Sequence, residues 1–113
     1  LDYPPSIADE YIRCPDLHDA QAFAARVVGD SMAPDYQEGD IVVFSPNTLA
    51  DSGDDCFVRF AQTCETTFKR LYVDDKRTLR LQPLNSRYRA ETYDRDEVTG
   101  LWPAVFRIQR VRR

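Results

Sequence analysis

The segment Val27-Val28-Gly29-Asp30-Ser31-Met32-Ala33-Pro34 sets a serine at the end of an apolar run, in a turn opened by glycine. Such a turn exposes the hydroxyl and leaves backbone N–H groups, here those of Asp30 and Ser31, free to hold an oxyanion. A serine of this kind needs a base. The chain has one histidine, His18, next to Asp19 in a Pro-rich segment. That adjacency reads as a solvated pair and not as part of a triad. A second base is available in Lys69, 38 residues after Ser31. On a strand, Thr67, Lys69 and Leu71 share one face, and Phe68, Arg70 and Tyr72 share the other. Lys69 has uncharged neighbours on its own face, and desolvation there penalises the ammonium and lowers its pKa. A lysine serves as a base when its pKa falls from about 10.4 to roughly 7–8. Arg70 cannot take this part, because a guanidinium does not deprotonate. On spacing alone, a surface lysine laying its stem along a strand explains Lys69 with fewer assumptions. Met32 is read as packing beside the nucleophile, with a substrate-binding role as the alternative.

These residues need strands to position them. Ala25-Arg26-Val27-Val28 reads as a strand leading into the serine turn, and Ser31 to Glu38 as a turn region with Pro34 in a short 3₁₀ or helical turn. Ile41-Val42-Val43-Phe44 reads as a buried strand after Gly39-Asp40. Ser45 to Asp55 is a polar loop. Strands are expected at Cys56 to Ala61, Thr66 to Val73 and Thr78 to Gln82, with a turn at Asp74 to Arg77. Pro83 to Tyr88 is a loop near the sheet edge, Tyr93 to Gly100 is ambiguous, and Val105 to Val111 is a closing strand. Trp102-Pro103 anchors either a core or an interface. Asp30 and Asp40 flank the turn and fit turn chemistry better than the alternative, a role in tuning Lys69. The arginines at Arg107, Arg110, Arg112 and Arg113 fit a charge-protected edge strand better than a nucleic-acid contact. Six or seven short strands with almost no helical periodicity make a mainly β domain at 20–113. Residues 1–19, rich in Pro and acidic residues, form an extended arm or linker remnant.

Composition bounds the classes. The chain has 113 residues, one domain's worth, with 19 acidic and 15 basic residues and a formal net charge of -4. A 12% aromatic content argues against disorder. No run approaches the ~20 apolar residues of a membrane span, and no signal peptide is visible. The acidic balance disfavours a stand-alone nucleic-acid binder. Cys14, Cys56 and Cys64 read as reduced thiols of a cytoplasmic protein. With one histidine, no metal site and no cofactor is expected.

Gly29-Asp30-Ser31-Met32, Glu38-Gly39-Asp40, Phe68-Lys69-Arg70-Leu71 and Pro83-Leu84-Asn85-Ser86 occur in that order. Together they resemble the blocks of the LexA-like peptidases, the C-terminal domains of the LexA repressor, lambda-type phage repressors and the UmuD mutagenesis protein. The resemblance runs from about Phe23 to the C-terminus. It implies a fold of coiled antiparallel sheets with little helix, shared with signal peptidases. It implies Ser31 as nucleophile and Lys69 as general base of a Ser-Lys dyad acting autocatalytically. The implied substrate is the protein's own linker peptide, cut at an Ala-Gly or Cys-Gly bond. The implied partners are a second copy in a homodimer and a RecA filament on single-stranded DNA in the DNA-damage response. Operator DNA is reached only through an N-terminal helix-turn-helix domain.

The four glycines follow Val28, Glu38, Ser52 and Thr99, so neither of those scissile bonds occurs in this chain. The chain starts at Leu1. The expectation is therefore a post-cleavage or trimmed piece, with scissile bond and DNA-binding half upstream. A repressor, a polymerase accessory subunit, a secretory peptidase relative and a domain that only dimerises remain as readings. The upstream sequence separates the first three: a helix-turn-helix, a short arm or an apolar anchor. Ser31 and Lys69 lying far apart would favour the last.

Overall fold

The computed structural model describes residues 11–12, by their backbone, and residues 21–109. The strands are β1 (Tyr11–Ile12), β2 (Phe23–Arg26), β3 (Ile41–Phe44), β4 (Asp55–Phe60), β5 (Thr66–Val73), β6 (Thr78–Gln82), β7 (Glu91–Asp94) and β8 (Val98–Ile108). One 3₁₀ turn, Arg95–Glu97, separates β7 from β8. The strands form one sheet in the order β1-β2-β3-β8-β4-β5-β6-β7, and every pairing is antiparallel. The mainly β expectation is met. Apart from Tyr11–Ile12, the expected arm lies outside the described residues. So do His18, Cys14, Arg110, Arg112 and Arg113.

β8 organises the sheet. Its first half pairs with β4 through Pro103, and its second half pairs with β3 from Ala104 onward. Irregular register at Val43/Phe44 accompanies this change of partner, and a second irregularity at Arg59/Phe60 lies opposite the start of β8. Bulges of this kind bend a strand and increase its twist, so the sheet coils around its own core. Pro103 tolerates the position because it lacks only a donor; its carbonyl accepts from Ser45 N at 3.1 Å. The sequence placed this strand at Val105 to Val111; it begins seven residues earlier, at Val98. Pro103 and Gly100 conceal that continuity, because both residue types count against a strand interior. The ambiguous Tyr93 to Gly100 divides into the end of β7, the capped 3₁₀ turn and the start of β8.

Alternation assigns side chains to two larger cores and a smaller cluster of Ala22, Ala24, Ile41 and Val43. Phe23, Val42, Phe44, Phe57 and Phe68 pack together with Met32, while Cys56, Val58, Leu71, Leu79 and Leu81 pack on the other face. Phe68 and Leu71 are both buried on β5, but in different clusters, so this strand carries core on both faces. Trp102 stacks on Phe57 with centroids 5.5 Å apart, which makes it an edge of the first core. β2 ends two residues earlier than the sequence placed it. Val27 leaves the regular ladder but remains tied by its N–H to Asp40 O at 2.8 Å and by its carbonyl to Gly39 N at 2.9 Å. Among the described residues, no helix is long and apolar enough to cross a membrane.

Candidate active site

The serine turn is held at both ends. Val27 closes it against Gly39 and Asp40, as above. Gly29 adopts φ +81, a left-handed conformation that glycine takes without steric cost, and its N–H donates to Glu38 Oε2 at 3.0 Å. Asp40 is buried, at 3% exposure, and its carboxylate accepts from Gln37 N at 2.9 Å. The Asp40 side chain thus does turn chemistry. Past the serine, Ala33 N donates to Asp30 O at 3.1 Å and Tyr36 N to Met32 O at 2.9 Å. Met32, 2% exposed, inserts into the first core and anchors the turn, leaving Ser31 half-buried beside it. The packing reading of Met32 therefore describes its side chain.

β5 brings Lys69 to the same place. Its Nζ lies 3.1 Å from Ser31 Oγ, 2.8 Å from Thr67 Oγ1 and 3.1 Å from Phe68 O. An ammonium has three N–H donors for these three oxygens. A neutral amine can donate to Thr67 Oγ1 and Phe68 O and turn its lone pair toward the Ser31 hydroxyl. The pocket thus suits both protonation states. Burial pushes the Lys69 pKa down, and the Glu91 carboxylate on β7 opposes that shift. Glu91 is the charge that alternation along β5 alone could not reveal.

The neighbouring groups are committed elsewhere. Arg70 points to the other face and grips Asp55 with Nε at 2.7 Å and Nη2 at 3.0 Å. Tyr36 O–H donates to the same carboxylate at 2.6 Å, and its ring meets Phe68 edge-on at 4.8 Å. Cys56 stands opposite Lys69 in the ladder, but burial, with Asp54 and Asp55, pushes its thiol up to about 12, so it stays protonated. A small open cleft of about 140 Å³ runs past Ser31 and Lys69, between Val28-Gly29 and Thr67-Phe68. A second hollow of about 370 Å³ lies on the far side of Lys69, lined by Phe60, Leu81, Arg89 and Glu91 among others.

A family model described as Peptidase S24-like matches residues 3–101. The chain belongs to this family. It is also similar to Prophage repressor CohE of Escherichia coli (strain K12), 41% identical over 69 residues. That alignment covers 61% of this chain and 30% of the relative's length.

The S24-like domain brings Ser31 and Lys69 together, although they stand 38 residues apart in sequence. Among the described residues, no hydrogen bond donated by the Asp30 or Ser31 N–H is found. No described group of three or more His, Cys, Asp or Glu side chains is arranged to hold a metal. Sequence reasoning missed the part played by the Pro83-to-Tyr88 loop. Asn85 N donates to Ser31 O at 3.0 Å, Asn85 Nδ2 donates to Asp30 O at 2.9 Å, and Tyr88 O–H donates to the Asp30 carboxylate. Nothing in the spacing of Pro83-Leu84-Asn85 announces a contact 55 residues away. Thr67 was legible as a neighbour of Lys69 on its face, but not as its closest polar partner.

Proposed function

We propose that this domain is the self-cleaving Ser-Lys peptidase and dimerisation unit of a LexA- or phage-type transcriptional repressor. The observation that carries the reading is the 3.1 Å approach of Lys69 Nζ to Ser31 Oγ, with an amine that burial drives toward its neutral form. Neutral Lys69 takes the Ser31 proton as Oγ bonds to a linker carbonyl carbon. The carbonyl electron pair moves to oxygen, and the backbone N–H groups of Asp30 and Ser31 receive the oxyanion. As the intermediate collapses, the C–N bond breaks and the leaving amine takes the proton from Lys69. Water then attacks the acyl ester as Lys69 takes its proton; the C–Oγ bond breaks, Lys69 passes the proton to Ser31 Oγ, and the new carboxyl end leaves.

The substrate in this reading is the protein's own linker, upstream of the domain, and cleavage separates a DNA-binding half from its dimerising half. Docking on a RecA filament assembled on single-stranded DNA stimulates cleavage after DNA damage. Operator contacts belong to an N-terminal helix-turn-helix domain. A cytoplasmic location follows from that role. Exposed Val105, Phe106 and Ile108 on β8 support a homodimer through this strand. The prophage repressor similarity favours repression over a polymerase accessory role.

The test is self-cleavage of the full-length parent at alkaline pH, followed by gel or intact mass. The wild type is expected to yield two fragments and Ser31→Ala none. Normal cleavage by Ser31→Ala would remove Ser31 from the mechanism.

A further inference from the structure

We propose that Asn85 is a positioning residue that sets the peptide planes of the nucleophile turn and so aims the oxyanion donor. The inference rests on the Ser-Lys reading above. Asn85 grips two successive carbonyls: Nδ2 donates to Asp30 O and the main-chain N–H donates to Ser31 O. A trans peptide places its carbonyl and its N–H on opposite sides. Holding Asp30 O toward Asn85 therefore directs the Ser31 N–H away from the Pro83-to-Tyr88 loop. The cleft lies on that other side, lined by Gly29, Ser31, Met32 and Lys69 and not by Asn85 or Tyr88.

Asn85 is itself fixed. Its Oδ1 accepts from Arg87 N at 3.0 Å, which assigns Nδ2 as the group that faces Asp30. Tyr88 N donates to Asn85 O at 3.1 Å, and Leu84 packs against the first core. Tyr88 adds a second clamp through its hydroxyl on the Asp30 carboxylate. An oxyanion donor works only when it is already aimed at the developing charge, so a loop that fixes the plane contributes to rate without touching substrate.

The test uses the full-length parent and reads the alkaline plateau of the self-cleavage rate. Asn85→Ala removes the side-chain donor and keeps the main-chain one. It is expected to lower the plateau about tenfold to a hundredfold, a range set by the cost of a displaced catalytic group. The apparent pKa of its pH–rate profile is expected to stay where it is, because Lys69 keeps its surroundings. Asn85→Asp separates positioning from loop shape: it keeps the oxygen that receives Arg87 N–H and replaces the donor to Asp30 O by a charged acceptor, which turns that carbonyl away. A plateau loss in Asn85→Asp comparable to that in Asn85→Ala supports the proposal. Cleavage by Asn85→Asp within about threefold of wild type would overturn it, as would a moved pKa with an unchanged plateau in Asn85→Ala. Ser31→Ala, run alongside, tells the two failures apart. An inactive Ser31→Ala beside a fully active Asn85→Asp removes only the positioning role. An active Ser31→Ala removes the dyad itself.

Discussion

Lys69→Ala is expected to reduce self-cleavage about 10²–10⁴-fold at every pH, the range that loss of a general base produces. Lys69→Arg is expected to fail equally, because a guanidinium in the same place holds its proton and cannot take one from Ser31. In the wild type the rate should rise with pH as Lys69 loses its proton. It should level off above a pKa that burial sets below the ordinary 10.5. The same shift affects folding with a definite sign. Between the lowered folded pKa and 10.5, the unfolded chain binds more protons at Lys69 than the folded chain does, so stability rises with pH. Below the folded pKa the full cost of burying the ammonium is present. Lys69→Met should therefore melt higher than wild type at pH 7, with the gain fading as pH approaches 10.5. A Lys69→Met protein that is inactive yet more stable at neutral pH is the signature of a residue kept for chemistry and not for packing.

Phe57→Ala is expected to cost about 3–5 kcal/mol in urea unfolding, near the upper end for a single core truncation. Phe57 is 0% exposed on β4 and meets three aromatic rings. It lies edge-on to Phe23 at 5.1 Å and to Phe44 at 5.4 Å, and it stacks on Trp102. Its removal opens a cavity that surrounding rigid rings cannot close, and a domain of this class has only about 5–15 kcal/mol in total. Leu49→Ala, at a side chain 90% exposed, should by contrast change stability by less than about 0.5 kcal/mol. A Phe57→Ala loss below about 1 kcal/mol would contradict the placement of this core. Phe57, Phe68 and Met32 belong to one cluster, so this core is also the floor beneath the Ser31 turn.

Much of the sheet was legible because its strands obey short-range rules. Thr78 to Gln82 alternates cleanly and Thr66 to Val73 is rich in β-branched and aromatic residues, the two flank a turn at Asp74 to Arg77, and the structure has those boundaries. Ile41 to Phe44 is a continuous apolar run, and all four of its residues are buried. β8 is longer than its local pattern suggests because it crosses between partners at Pro103-Ala104. Local pattern records a proline there, but not the change of neighbour that permits it. The candidate site divides in the same way. Ser31 announces itself by its turn. Lys69 was ambiguous by spacing, since a strand lysine is ordinarily solvated, and only the ordered set of four blocks pointed to it. Thr67 follows from alternation. Glu91, Asn85 and Tyr88 approach from other strands and loops, so their parts depend on sheet order and loop closure that no local periodicity encodes.

The central claim is that Ser31 Oγ is a nucleophile made reactive by Lys69. Its most direct test is covalent labelling of the domain with a fluorophosphonate, with the modified residue located by peptide mass spectrometry. The account predicts a single adduct on Ser31, formed faster as pH rises through one ionisation, and no adduct in Lys69→Ala at the same pH. An equally fast Ser31 adduct in Lys69→Ala, or no Ser31 adduct in the wild type at any alkaline pH where the domain stays folded, would contradict it.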